Sequence, residues 1–303
     1  YQVRSTDGQK HDVQFYLSAN PLMGVNRESQ PTISTYGSQQ GVPYVRTGTI
    51  EQPILAKSGD GICIDWGYFY LGVRGEGTVK HTVYDDMYGV LAEATLAPDA
   101  LFLFAYDDIE SIQYFGDNLR PYWNRTGDVT IESQFELALK DYRKLVRKAC
   151  EFDCQLMKEA TEAGGRKYAE LCALAYRQAI AAHKLVQTNE GFLTFLSKEN
   201  NSNGSIGTVD VTYPSLPIFL KYNTTLARAL MDHIFHYSES GRWTKPFPAH
   251  DVGTYPLANG QTYPYDMPVE EAGNMLVGAA AVCAYENSPA YAREHWDVMT
   301  TWV

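Results

Sequence analysis

Carboxylates at the junctions between loops and helices are the residues of this sequence with the clearest chemical potential. Each lies near tyrosine, proline, glycine or asparagine in the C-terminal part of the chain: Glu199, Asp210, Asp251, Glu270 and Glu271. A pair of carboxyl groups can hydrolyse a bond when burial keeps one protonated and the other stays ionised to activate water. These five residues are the candidate catalytic groups.

Candidate substrate-binding residues accompany the acids in the same stretches: Lys198, Tyr213, His250, Tyr255 and Asn274. A lysine could bind a substrate carboxylate, tyrosine rings could stack against a sugar, and a histidine could relay protons. The sequence lacks the HExxH, GxSxG, SxxK and Walker A motifs and a GxGxxG that opens a helix. We therefore expect neither a metal nor a cofactor.

Every candidate acid also has a purely structural interpretation. Glu270 and Glu271 follow a proline and suit the first turn of a helix, where the macrodipole favours acidic side chains. Adjacent helical residues cannot share a face, so at most one of the two points into a pocket. Asp210 and Asp251 also suit turns, and Glu199 could form a surface ion pair with the preceding lysine.

Composition excludes several classes of partner. The chain has 303 residues, with 25 Lys and Arg against 36 Asp and Glu, which gives a formal net charge of −11. Nucleic-acid phosphates and anionic membranes repel such a surface, so neither is expected as a partner. No apolar run approaches the roughly 18 residues that a membrane-spanning helix needs. A small-molecule substrate is the partner that remains.

The character of the sequence changes near residue 130. Residues 1–130 alternate β-branched and aromatic runs with Gly/Asp/Ser/Pro clusters, which predicts a β-sandwich, with strands over 13–17, 62–71 and 101–106. Residues 131–303 show helical spacing and read as paired helices. We therefore predict a sandwich-like domain over 1–130 and a helical-hairpin domain over 131–303.

Capping and termination signals place about five helices in the second domain. Ser133, with Glu136 three residues later, forms a capping box, and Gly164 with Gly165 ends the helix that it opens. The next helix is predicted to turn Leu171, Ala175, Ile180 and Leu185 inward. The predicted helices span 131–163, 166–187, 214–240 with a break at 222–223, 269–287, and a last one after Pro289.

Long motifs run through residues 60–303: Phe104–Ile109, Ser111–Gly116, Leu119–Trp123, Ser197–Glu199, Gly207–Val211, His250–Pro256 and Met267–Met275. Together they resemble the central region of the glutaminase A family. The stretch Ser238–Phe247 is similar to its bacterial, gut-bacterial branch rather than to its fungal one. The candidate acids all lie within these motifs.

The resemblance implies a fold and an incomplete chain. Members of the family join an N-terminal β-sandwich to a toroid of six (α/α) hairpins, so we expect a multi-domain α and β fold. Because family members are longer at both ends, the sandwich and the toroid are both expected to be partial here. The missing parts of its own chain, or a second copy, would then complete the protein. The resemblance also implies export to the periplasm, the cell surface or the medium.

Three functions stay open. The resemblance implies hydrolysis of the side-chain amide of L-glutamine to glutamate and ammonia, with Glu271 or Asp251 activating water and a neighbouring acid protonating the leaving ammonia. On the same scaffold the acids could instead flank a glycosidic bond, in an open pocket lined by tyrosines. The chain could also be a non-catalytic module that binds a carbohydrate or another ligand. The substrate is accordingly an amino acid amide or a sugar.

Overall fold

A computed structural model describes residues 2–74, 77–84, 87–95 and 101–303. The chain forms two compact units that interleave along the sequence. The first unit comprises Tyr1–Ala56, Cys63–Ile109 and Thr126–Leu145, and the second comprises Lys57–Ile62, Glu110–Arg125 and Val146–Val303. The single boundary predicted at residue 130 stays a prediction.

Antiparallel strands build the first unit. They are β1 Gln14–Ala19, β2 Thr32–Gln39, β3 Val42–Thr49, β4 Tyr68–Arg74, β5 Gly77–Tyr84, β6 Met87–Thr95 and β7 Leu101–Asp107. One sheet has the strand order β1-β6-β5 and the other has the order β2-β3-β4-β7. A tight hairpin sets the register of β2 against β3, with Gln39 opposite Val42.

The core of the first unit lies between these two sheets. Val45, Phe69, Leu71 and Val73 of the four-stranded sheet are buried, and Leu17 from β1 of the other sheet packs against them. Each large apolar side chain contributes about 1.5–3 kcal/mol when it is buried. Two antiparallel sheets with a shared apolar interior confirm the predicted sandwich architecture.

The strand predicted over 62–71 is wrong in its first part, because β4 begins only at Tyr68. The residues before it turn the chain: the Thr49 hydroxyl donates to the Asp65 carbonyl at 2.6 Å, and Gly67 adopts a φ of +76°. A Cβ at Gly67 would lie 2.0 Å from the Asp107 carbonyl oxygen, so this close backbone approach requires glycine. The strand predicted over 101–106 is confirmed as β7.

The long helix α1 (Ile131–Gly164) begins where the sequence predicts, but a different residue caps it. Thr130 Oγ1 accepts the N–H of Ser133 at 3.2 Å, and Ser133 Oγ accepts the N–H of Thr130 at 3.3 Å. This reciprocal pair is a capping box with Thr130 at the N-cap. The predicted pairing of Ser133 with Glu136 is therefore wrong, because Ser133 is already the third residue of the helix.

Short strands and most of the helices form the second unit. Its strands are β8 Ile112–Tyr114, β9 Asp117–Leu119, β10 His183–Gln187, β11 Leu193–Ser197 and β12 Leu257–Ala258. Its helices after α1 are α2 Arg166–Ala181, α3 Val209–Tyr222, α4 Thr224–Ala229, α5 Asp232–Glu239, α6 Pro268–Glu286, α7 Ala290–Glu294 and α8 Trp296–Thr301. Strands β10 and β11 form an antiparallel hairpin, and β8 lies between β12 and β9. The mixed α and β class predicted from the sequence is confirmed.

Two predicted helix boundaries in the second unit are wrong. Helix α2 ends at Ala181, because residues 183–187 pair with β11 instead of continuing the helix. Helix α3 begins at Val209, ahead of Pro214, where the sequence predicts its start. The predicted break before α4 is confirmed, since Asn223 leaves helical geometry and its side chain accepts the N–H of Leu226.

Helices α1 and α2 expose apolar side chains. Leu171 and Ile180 are 62% and 38% exposed, so the prediction that they face inward is wrong. Helical spacing identifies an apolar face but not the element that packs against it. The exposed apolar residues of α1 are Leu137, Tyr142, Leu145 and Val146. None of the described helices is both long and apolar enough to cross a membrane.

Replacing Thr130 with valine should lower the free energy of unfolding by about 1 kcal/mol, because the hydroxyl that caps α1 is lost while the side-chain shape is kept. Urea denaturation followed by circular dichroism measures this loss. The matched control is Thr161→Val at an exposed position of the same helix, which should change stability by less than about 0.5 kcal/mol. Equal losses from both variants would contradict the capping role of Thr130.

Candidate active site

Loop–helix junctions of the second unit bring acids and a histidine together. Glu199 follows β11, Asp210 lies in the first turn of α3, and Glu271 lies in the first turn of α6. His250 and Asp251 belong to the loop between α5 and α6. Glu199, Asp210 and His250 each place one polar atom within 4.8 Å of the other two. Residues that are far apart in the sequence therefore form one cluster.

Close packing of α3 against α6 holds two of these junctions side by side. A Cβ at Gly278 of α6 would lie 3.1 Å from Leu216 Cδ2 of α3 and 2.7 Å from Met231 Sδ. Protein interiors accommodate little extra volume at such contacts. Glycine at this position therefore sets the distance between the two helices.

Asp251 is fully buried, and its carboxylate is saturated with hydrogen bonds. Oδ1 accepts the N–H of Gly253 at 2.8 Å and of Thr262 at 2.9 Å, and also receives the Thr262 hydroxyl at 3.4 Å. Oδ2 accepts the N–H of Tyr263 at 3.1 Å and His250 Nδ1 at 2.9 Å. These donors occupy both oxygens and leave the carboxyl group little capacity to bind water or substrate.

The bond from Asp251 fixes the orientation of His250. Because Nδ1 donates to Asp251, the other ring nitrogen, Nε2, faces Asp210 Oδ2 at 3.8 Å. The ring also stacks on Tyr263 with centroids 4.1 Å apart. Burial lowers the pKa of His250, but the hydrogen bond to Asp251 and the charges of Asp251, Asp210 and Glu271 outweigh it, so the pKa is raised.

Glu271 has the opposite environment. Its side chain is fully buried, and neither carboxyl oxygen makes a hydrogen bond of good geometry. Burial raises the pKa of Glu271 to about 8, with the charges of Asp210 and Glu270 adding to the shift and His250 and Asn274 opposing it. A carboxyl group in this state is protonated at neutral pH and can donate a proton.

Asp210 is the second carboxyl with an unused oxygen, since its Oδ1 is buried without a hydrogen-bond partner. Burial raises the pKa of Asp210, His250 opposes this shift, and Glu199 adds to it. Glu199 Oε1 accepts the Thr208 hydroxyl at 2.8 Å, which fixes that side chain against the start of α3. Asp210 is 34% exposed, so water can reach it.

A cation could be held by the same residues. Within the described part of the chain, Glu199, Asp210 and His250 form the group of possible metal ligands whose atoms converge. Two carboxylates and an imidazole nitrogen suit a divalent first-row metal, and the Asp251–His250 bond resembles the second-shell contacts of metal-bound histidines. The cluster can therefore either transfer protons itself or bind a metal ion that activates water.

The other predicted residues lie around this cluster rather than in it. Glu270 and Tyr213 are exposed, and Tyr213 follows Asp210 by almost one turn of α3. Asn274 lies one turn after Glu271, on the same face of α6. Lys198 Nζ lies 5.2 Å from the centre of the buried Tyr255 ring. The catalytic and binding roles assigned to all ten residues stay predictions.

Sequence reasoning missed the residues that hold the cluster in place. Gln261 Oε1 accepts the N–H of His250 at 2.8 Å, and its Nε2 donates to the Tyr263 carbonyl at 3.1 Å. The buried His233 ring contacts the Gly207 carbonyl through Nε2 at 3.0 Å. No spacing rule identifies Gln261, whose partners lie within its own irregular loop, or His233, whose partner Gly207 lies 26 residues away in the sequence. Gly207, which begins a Gly-Thr-Val-Asp stretch, was the sequence feature that could have pointed to the contact with His233.

Family models cover both parts of the chain. Residues 1–97 and 86–159 match a domain of unknown function, DUF5127, which takes in more than half of the chain. The chain belongs to the DUF5127 family. Residues 165–303 match the glutaminase A six helical-hairpin domain. The two matches therefore follow one another along the sequence of this DUF5127 protein.

Two fungal proteins are similar to this DUF5127 chain. Glutaminase A of Aspergillus oryzae is 28% identical over 300 residues, which cover 95% of this chain and 40% of the relative. A protein of Arthroderma benhamiae named "Probable glutaminase" is 36% identical over 126 residues, 41% of this chain and 14% of that protein. The chain thus spans less than half the length of the curated relatives it matches. Together with the six-hairpin match, they support the glutaminase A family.

Replacing Gly207 with alanine should destabilise the protein by clearly more than about 1 kcal/mol, the usual cost of a left-handed alanine. Gly207 has a φ of +64°, and a Cβ there would also lie 2.5 Å from His233 Nε2. Gly241→Ala is the matched control, because Gly241 has a φ of +71° with no atom within 4 Å of the added Cβ. Thermal unfolding measures the stability of both variants. Equal losses of stability would mean that the His233 side chain moves aside at no energetic cost.

Proposed function

We propose that this site hydrolyses the side-chain amide of L-glutamine to glutamate and ammonia. The fungal relative named glutaminase A and the match to the glutaminase A six helical-hairpin domain support this reaction class and a small-molecule substrate. The observation that carries the proposal is Glu271, a buried carboxyl without a hydrogen bond of good geometry, whose pKa is raised to about 8 beside the more accessible Asp210. Such a pair supplies an acid and a base together.

In the proposed mechanism, Asp210 acts as the general base. It removes a proton from a water molecule, whose oxygen attacks the amide carbon and forms a tetrahedral intermediate. Glu271 then gives its proton to the amide nitrogen as the carbon–nitrogen bond breaks, so ammonia leaves and the substrate becomes a carboxylic acid. One proton is taken and one is given, and exchange with water restores both carboxyl groups.

His250 and Asp251 act as positioning residues in this proposal. With Nδ1 bonded to Asp251, the His250 ring presents Nε2 towards Asp210, where it can orient the attacking water. Asp251 itself is not the base, because its oxygens already accept several hydrogen bonds. Glu199 contributes negative charge next to Asp210, which helps to raise the pKa of that residue. Glu270 is exposed and acts only through its charge.

We also propose that the protein works outside the cytoplasm and belongs to the bacterial, gut-bacterial branch of its family. The motif resemblance supports both statements. Fractionation of the native host, with antibodies against this chain, tests the location.

The division of the chain into two domains at residue 130 is likewise a proposal, and separate expression of 1–130 and 131–303 tests it.

Glycoside hydrolysis uses the same two acids and is the alternative reaction. The exposed Tyr265 favours it, because this ring contacts Tyr263, which stacks on His250, and tyrosine rings can stack on sugars. Release of reducing sugar from glycans, without ammonia from glutamine, would replace the proposed reaction. A pure binding module would release neither product.

Glu271→Gln should abolish ammonia release from L-glutamine, with a loss of at least about a hundredfold in kcat. Glutamine keeps the size of the side chain but has no acidic proton to give. A coupled glutamate dehydrogenase assay measures the rate. Glu270→Gln, its exposed neighbour, is the matched control and should retain most of the activity. Equal losses in both variants would contradict the assignment of Glu271 as the acid.

The pH dependence of stability gives an independent readout. The pKa of Glu271 rises from 4.5 to about 8 on folding, so its contribution to stability is present below pH 4.5 and is lost as the pH rises through 8. The wild-type protein should therefore lose stability relative to Glu271→Gln between pH 4.5 and 8. Urea titrations across this range measure the difference. A constant difference would show that Glu271 titrates normally.

Removal of metal should leave the activity unchanged, because the proposed mechanism moves protons between carboxyl groups. Dialysis against EDTA, followed by the ammonia assay, tests this. If the activity disappears on chelation and returns when manganese or zinc is added, a bound metal ion and not Asp210 activates the water. Glu199, Asp210 and His250 would then be its ligands.

A further inference from the structure

The acids of the candidate site have no neutralising side chain. Among the residues that the structure describes, no lysine or arginine forms an ion pair with Glu199, Asp210 or Glu271. Lys198 precedes Glu199 in the sequence, but its Nζ donates to the Asp60 carbonyl at 3.1 Å instead. Carboxylates that lie together without a cation repel one another, and a bound cation would relieve this repulsion.

Three ligand atoms of the cluster converge. Glu199, Asp210 and His250 each place one such atom within 4.8 Å of the other two, and His250 Nε2 lies 3.8 Å from Asp210 Oδ2. Zinc binds imidazole nitrogens and carboxylate oxygens at about 2.0–2.2 Å, so two ligands of a tetrahedral zinc ion lie about 3.4 Å apart. The separation of Nε2 and Oδ2 is close to this spacing. Glu199 and Asp210 are half-buried, so small side-chain rotations can close the rest.

The surroundings of His250 orient its ring as a metal ligand. The residue is 3% exposed, and its Nδ1 donates to Asp251 at 2.9 Å, which leaves Nε2 towards Asp210. Stacking on Tyr263, with ring centres 4.1 Å apart, holds the ring in this plane. Histidines that bind metals usually donate their other ring N–H to a carboxylate or carbonyl in the same way. The orientation is therefore set before an ion binds.

Glu271 is an independent sign of a ligand at the cluster. The residue is fully buried, and neither of its oxygens makes a hydrogen bond of good geometry. Its charge acts on both His250 and Asp210, so the carboxyl group lies beside the cluster. Buried polar groups are nearly always paired, and an ion or its water serves where no side chain does. An ion held by the neighbouring residues would supply Glu271 with such a partner.

The ligand atoms select one class of ion. Imidazole nitrogen favours zinc and other divalent ions of the first transition row, whereas calcium and magnesium prefer oxygen ligands. Three protein ligands are also the number found in zinc sites that keep one position for water. The three ligands come from separate segments, so no sequence motif marks them.

We propose that Glu199, Asp210 and His250 bind a zinc ion and that this ion inhibits the hydrolysis. The inhibition rests on the proposed function, because there Asp210 needs a free lone pair to take a proton from water. A carboxylate oxygen that binds zinc has donated this lone pair to the metal. The concentration of free metal would then regulate the site.

Calorimetric titration with zinc chloride tests the binding, on the 303-residue chain freed of metal by dialysis against EDTA and then against buffer. The wild type should bind zinc. Asp210→Asn and Glu199→Gln should each weaken the affinity at least about tenfold, since loss of even a residue behind a metal ligand costs 10–100-fold. Circular dichroism checks that both variants fold.

Asp297→Asn is the matched control for these variants. Asp297 also lies in the first turn of a helix, α8, but is not one of the converging ligands. This variant should bind zinc as the wild type does. Equal affinities in the wild type and all three variants would overturn the assignment of the site.

A second titration, with calcium chloride, tests the class of ion. Calcium should bind at least about tenfold more weakly than zinc, because an imidazole nitrogen is a poor ligand for it. Equal affinities for the two ions would mean that His250 is not a ligand, and would overturn the zinc site.

Ammonia release from L-glutamine tests the inhibition, with free zinc set by a nitrilotriacetate buffer. An ammonia electrode replaces the coupled assay, because zinc could inhibit the coupling enzyme. The rate should fall as zinc saturates the site, and excess EDTA should restore it. In Glu199→Gln, half-inhibition should need at least about tenfold more zinc, measured against that variant's own zinc-free rate.

The outcomes separate this inference from the proposed function. Ammonia release by the metal-free chain, with no zinc binding or with zinc binding that leaves the rate unchanged or higher, overturns the inference. If no ammonia is released at any zinc concentration, the proposed function is wrong and the inhibition falls with it. The calorimetry of the variants still decides in that case whether the ion site exists.

Discussion

The buried carboxylate of Asp251 is the constraint on which the candidate site depends. It accepts hydrogen bonds from Gly253, Thr262, Tyr263 and His250, and so joins the two parts of the α5–α6 connection that flank β12. An unpaired buried charge costs several kcal/mol, so the loop can hardly rearrange without losing this set of bonds. The same hydrogen bonds orient the His250 ring. The ring orientation in turn fixes the position of Nε2 next to Asp210.

The two fully buried acids of the site have opposite surroundings. Both oxygens of Asp251 accept several hydrogen bonds, whereas the equally buried oxygens of Glu271 accept none of good geometry, and burial raises the pKa of Glu271 to about 8. A protein that needed only stability would not retain an unsatisfied carboxyl at the start of a helix, where an exposed one would interact with the macrodipole. Departures of this kind from local stability are typical of functional sites. In the proposed mechanism, this contrast separates Glu271, which gives a proton, from Asp251, which only positions His250.

Much of the architecture could be predicted from local signals, but the contacts between segments could not. The change near residue 130, strand β7, the break at Asn223 and the start of α6 at Pro268 all follow from propensity and capping. Residues 183–187 have helical spacing but pair with β11, because a partner strand outweighs local preference. Glu199, Asp210 and His250 were candidates from the sequence, but their spacing did not predict that their polar atoms lie within 4.8 Å of one another. Gln261 had no signal, since its role comes from hydrogen bonds within an irregular loop that no pattern of spacing describes.

The apolar faces of α1 and α2 have a consequence for how copies of the chain behave in solution. Exposed leucines and tyrosines along these helices attract one another when two molecules meet. The net charge of −11 opposes such encounters over a range set by the Debye length, about 10 Å at 0.1 M ionic strength. Whether copies of the chain stay apart therefore depends on the balance between attraction of their apolar helix faces and repulsion of their net charges. Added salt screens the charges and so favours association.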